Sequence, residues 1–100
     1  MMPEYAKTLL KKIRETPGMY IGKKSLDRLA ASLSGYACCM REKMGVQDPP
    51  LPGFQAYIEA QYNQHSHSWW DIISFDSTCE EEAFDTFYRL LDLFYPGWDR

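Results

Sequence analysis

The chain has 100 residues, enough to bury one hydrophobic core but not two. Its 45% hydrophobic and 25% charged residues exclude a disordered chain and predict a single domain over residues 1–100. A net charge of −3, from 14 acids and 11 bases, lacks the broad positive field that direct nucleic-acid binding needs.

The first predicted element runs from Pro3 to Glu15. Tyr5, Leu9 and Ile13 recur at four-residue steps with Ala6 and Leu10 beside them, which is one stripe of a helix, and the other face is lysine-rich. Pro17-Gly18 stops it, because proline disfavours the helical region at Thr16 and glycine permits turn dihedrals. Met19-Tyr20-Ile21, an apolar run between glycines, reads as a short extended and buried connector over residues 19–22.

Ser25 can cap the next helix, Asp27 suits its positive first turn, and Gly45 can close it in the left-handed conformation. Leu26, Leu29, Ala30, Leu33, Tyr36, Ala37, Met40 and Met44 keep helical spacing, as expected of a central core helix. Gly35 lowers its propensity, which points to a close-packed neighbour or to a weak position. The stretch from Gln47 to Gly53 carries three prolines and a glycine and must be a linker.

A third helix is expected from Phe54 to about Tyr62, followed by a polar loop from Asn63 to His67. Ser68 and Asp71 form a capping-box-like pair ahead of a short helix. Residues 70–75 are also rich in β-formers, so a strand stays open there. The last helix starts at the Thr78-Cys79-Glu80-Glu81 capping box, sets Phe84, Phe87, Tyr88, Leu91, Phe94 and Tyr95 on one face, and ends at Pro96-Gly97. The expected fold is mostly α, about five helices around one core.

No run reaches the roughly 18 apolar residues that cross a bilayer, and Met1 to Lys7 has no apolar leader, so a cytoplasmic chain without membrane attachment is expected. Cys38, Cys39 and Cys79 are odd in number and two are adjacent, which predicts reduced, partly buried thiols and no bridge. Aromatic residues make up 15% of the chain and serve either the core or a partner surface.

No residue set points to catalysis, and no cofactor or metal is expected. His65-Ser66-His67 lacks a second ligand pair for zinc and reads as surface loop. The adjacent cysteines lack the two-residue spacing of a redox pair. No serine sits in a Gly-x-Ser-x-Gly elbow. Glu80, Glu81 and Glu82 fall in a helix first turn, where negative charge favours the helix dipole, and with Asp85 they also suit an acidic partner surface.

The charges are uneven along the chain. Residues 7–28 hold Lys7, Lys11, Lys12, Arg14, Lys23, Lys24 and Arg28, whereas residues 71–92 hold Asp71, Asp76, Glu80, Glu81, Glu82, Asp85 and Asp92 against Arg89 alone. The predicted partner-binding residues are therefore Asp76, Glu80, Glu81, Glu82 and Asp85, with Trp69 and Trp70 as apolar anchors.

The segment from Leu10 to Gly22, with Pro17-Gly18-Met19-Tyr20-Ile21-Gly22 at its end, resembles the start of the gyrase B type ATPase domain. That family follows the turn with a helix bearing a catalytic Glu and a metal-binding Asn. Leu29 to Met44 has no Asn, and its only acid is Glu42, so ATP hydrolysis is not implied. The same turn, the Lys24-Ser25-Leu26 helix start, the Trp70-Asp71 segment and the acidic, aromatic last helix together resemble small bacterial immunity proteins of contact-dependent inhibition and other polymorphic toxin systems. This resemblance implies binding to a cognate toxin domain, expected to be a nuclease, by blocking its active or substrate site. The alternative is a non-toxin adaptor or regulatory module, homodimeric if its aromatic surface packs on itself.

Overall fold

Ser25 sets the start of the longest helix. Its Oγ accepts the Arg28 backbone N–H at 3.3 Å, and the helix runs to Gly45, whose φ of 70° closes it in the left-handed region. In the computed structural model, which describes residues 1–100, this helix is the third of six. They are α1 (Glu4–Glu15), α2 (Pro17–Tyr20), α3 (Leu26–Met44), α4 (Phe54–Tyr62), α5 (Trp69–Phe75) and α6 (Glu80–Phe94). There is no strand, and residues 70–75 lie in α5 and its end, so the strand alternative falls.

The helix not expected from the sequence, α2, corrects the extended connector. Pro17 supplies a fixed φ at the first position of a single helical turn, and the Ile21 N–H closes that turn on Pro17 O at 2.9 Å. One turn directs only Ile21 inward, at 9% exposure, and leaves Met19 and Tyr20 exposed at 78% and 43%. Three apolar residues in succession cannot all face one core from a helical turn.

α3 packs against α1, α5 and α6, while α4 packs on α5 and α6. The radius of gyration of 13.0 Å is that of a fully compacted chain of this length. Phe54, fully buried, is the hub of the aromatic core: its ring meets Trp69 edge-on at 5.4 Å and Phe87 at 5.7 Å, and lies 5.9 Å from Phe94. Trp69 stacks on Phe87 at 5.0 Å. Much of the aromatic surplus thus fills the core, each such side chain contributing about 1.5–3 kcal/mol by burial.

Two caps differ from expectation. Ser68 makes no capping bond; Gln55 of α4 instead accepts the Trp69 N–H at 2.8 Å and donates to His67 O at 2.9 Å, so α5 is started from its neighbour. At α6 the cap shifts by one residue to Cys79, and Glu82 in place of Glu81 reaches back to Thr78, accepting its N–H at 3.2 Å and its hydroxyl at 2.8 Å. Nothing packs on Gly35, so it is simply a weak helix position. Tyr36 and Met44 of α3 are exposed.

Candidate functional site

The structure folds the basic and acidic ends of the chain onto each other. Arg14 of α1 grips Asp92 of α6 with two N–H groups, at 2.9 and 2.8 Å. Lys23 Nζ lies 3.0 Å from Glu80, and Lys24 Nζ lies 3.2 Å from Asp85 and 3.8 Å from Glu81. Part of the charge asymmetry visible along the sequence is thereby neutralised within the fold, by partners 57 to 78 residues apart, while Lys7, Lys11, Lys12, Arg28, Asp71, Asp76 and Glu82 stay outside these ion pairs.

The predicted partner-binding residues separate into two groups. Glu81, Glu82 and Asp85 share the rim of one shallow depression of about 420 Å³ with Cys79, Thr86 and Arg89, and Glu80 precedes them on the same exposed first turn. Asp76 is exposed at the end of α5 and raises the pKa of Tyr62 in second place after burial of that ring. The tryptophans do not join this rim. Trp69 is buried at 8% exposure, and Trp70 is half-buried with its ring edge-on to Trp69 at 5.2 Å. Trp69 is therefore a core residue and not a surface anchor, because its stacking on Phe87 takes the face a partner would need.

Electrostatics on this face follow the ion pairs. The hydrogen bond from Lys23 holds the Glu80 carboxyl below its ordinary value, with the lysine's charge adding to it. At the far end of α6, the hydrogen bond from Arg14 lowers Asp92 against its partial burial, and the Trp98 indole N–H adds a second bond at 2.9 Å. Both carboxylates are thus ionised at neutral pH.

Other candidate chemistry is scattered. His65 approaches Glu59 at 3.9 Å, whereas His67 lies edge-on to Phe75 at 5.0 Å. No three His, Cys, Asp or Glu side chains are placed to hold one metal ion. All three cysteines are free and exposed, which corrects the expectation of partial burial; Cys38 Sγ lies 3.6 Å from Glu42 on the outer face of α3. No helix is long and apolar enough to cross a membrane.

Lys23 and Lys24 are the residues of this face that sequence reasoning missed. Their adjacency and the excess of acids in α6 were both visible, but contact between segments so distant along the chain is set by the packing of α3 on α6, which no local pattern encodes. No family model, curated protein or solved structure matches the chain.

Proposed function

We propose that this chain is an immunity protein that binds a cognate toxin domain, a nuclease, and covers its active or substrate-binding site. The observation that carries the reading is the display of Glu81, Glu82 and Asp85 around one open depression at the exposed start of α6. Carboxylates so presented can occupy a basic cleft in the place of substrate phosphates. The likeness of the Pro17–Gly22 turn, the Lys24-Ser25-Leu26 start and the acidic last helix to small immunity proteins supports the same reading.

The test is co-expression with the toxin domain encoded beside this chain, together with direct binding of the two purified proteins. The chain is expected to restore growth and to bind, and the triple change Glu81→Lys, Glu82→Lys and Asp85→Lys is expected to abolish both. Binding unchanged by the triple variant would remove the acidic face from the interface. Failure of the wild-type chain to bind or rescue would remove the immunity reading itself.

A further inference from the structure

Lys7 and Lys11, one helical turn apart on α1, line a shallow groove of about 290 Å³ together with Thr8, Lys12 and Arg100. Glu4 and Glu15, the first and last residues of the helix, complete its lining. Arg14, Lys23 and Lys24 are paired with acids of α6, but none of the four cations of this groove meets a carboxylate within 4.0 Å. Lys7 and Lys11 are moreover half-buried, so a chain of net charge −3 holds two unpaired cations partly withdrawn from water. Lys7 also lines a second cavity, of about 430 Å³, which Met2, Phe94, Tyr95, Pro96 and Trp98 make largely apolar. An apolar cleft and a cationic groove thus join at one residue, where the start of the chain meets its C-terminal turn. The cleft is at the low end of small-molecule sites in size and suits a side chain better than a lipid tail.

We propose that this continuous face binds an acidic, extended segment of a partner protein, one apolar side chain entering the cleft and carboxylates farther along the segment pairing with Lys7 and Lys11. The spacing fits. One helical turn sets the two lysines about 6 Å apart along α1, and alternate residues of an extended chain present their side chains about 6.6–6.8 Å apart on one side. A bilayer fits less well, because Glu4 and Glu15 would be pressed against its anionic headgroups. A second copy of the chain would have to offer the acids of α6, which already hold Lys23 and Lys24. The face is opposite in sign to the start of α6 and does not depend on the immunity reading.

The probe is the acetylated and amidated peptide Leu-Glu-Ser-Glu-Ser-Glu, with binding followed at low ionic strength by the Trp98 indole N–H resonance and the α1 amides. Saturable shifts of both are expected, and their absence at millimolar peptide would overturn the inference. The variant K7Q/K11Q should bind about 3- to 10-fold more weakly, as two ion pairs to the peptide are lost. R41Q/K43Q makes the same change in net charge at the exposed end of α3, outside the groove, and should weaken binding by less than about 2-fold. Replacing the leucine of the peptide by serine should cost about 5- to 10-fold and remove the Trp98 shift. Equal weakening by the two variants, or binding indifferent to the leucine, would overturn the inference. Phosphatidylglycerol vesicles bound in preference to the peptide, or self-association abolished by K7Q/K11Q, would overturn it in favour of a membrane or a second copy.

Discussion

The Trp98 indole N–H donates to Asp92 Oδ1 at 2.9 Å, on the same carboxylate whose two oxygens Arg14 already holds. The Arg14 guanidinium also lies 5.0 Å from the centroid of the Tyr88 ring and 3.7 Å from the Asp99 carboxylate, so one cation joins α1, α6 and the C-terminal turn. Asp92→Asn removes the charge and keeps the shape. Arg14 is 37% exposed and Asp92 43%, so solvent screening limits the expected loss to about 1 kcal/mol, measured by urea unfolding at neutral pH.

The same pair predicts a pH dependence. Its hydrogen bond with Arg14 sets the folded pKa of Asp92 below the ordinary 3.8. The folded state therefore binds this proton less readily than the unfolded state, and the stabilisation is complete above the ordinary value and lost as pH falls through the folded one. The stability difference between wild type and Asp92→Asn should be constant at higher pH and vanish on acidification through that window, with Trp98 fluorescence changing alongside. A difference that grows as pH falls would contradict the assignment.

Tyr88 is 3% exposed and its hydroxyl donates to Leu10 O at 2.7 Å. Burial pushes its pKa above the ordinary tyrosine range, with Arg14 opposing. In an alkaline absorbance titration this hydroxyl should ionise only with unfolding. Tyr88→Phe should cost about 1 kcal/mol and leave the denaturant slope unchanged.

Two glycines predict opposite signs for one substitution. An added Cβ at Gly35 meets nothing within 4 Å inside α3, so Gly35→Ala should stabilise by about 0.5–1 kcal/mol. At Gly22 the φ is +86° and the new carbon would lie 2.6 Å from Arg28 Nη1, so Gly22→Ala should lower the melting temperature. Thermal unfolding of both variants decides the matter.

Exposure of Cys38, Cys39 and Cys79 predicts that all three thiols react with an aromatic disulfide reagent in the native protein. A thiol that reacts only after denaturant is added would place that cysteine inside the fold.

The helices were largely legible because their signals are local. Ser25 and Gly45 mark the ends of α3, and the stripes of α1 and α6 face the core as their spacing requires. What escaped was non-local or depended on direction. Gln55 caps α5 from another helix, and the outward turn of Met19 and Tyr20 follows from one helical turn in place of extended chain. At the candidate site the carboxylates of α6 could be read from sequence, whereas the burial of Trp69 against Phe87 and the lysines seated on Glu80, Glu81 and Asp85 depend on how the helices pack.

The contacts of α1 with Tyr88 and Asp92 span 78 residues each. During synthesis the first helix emerges with its inner face prepared, but the hydroxyl for Leu10 and the carboxylate for Arg14 are still untranslated, and Trp98 follows later still. The native seat of that helix can close only once α6 has left the ribosome, so until then α1 must wait with its buried face unpartnered by those two side chains.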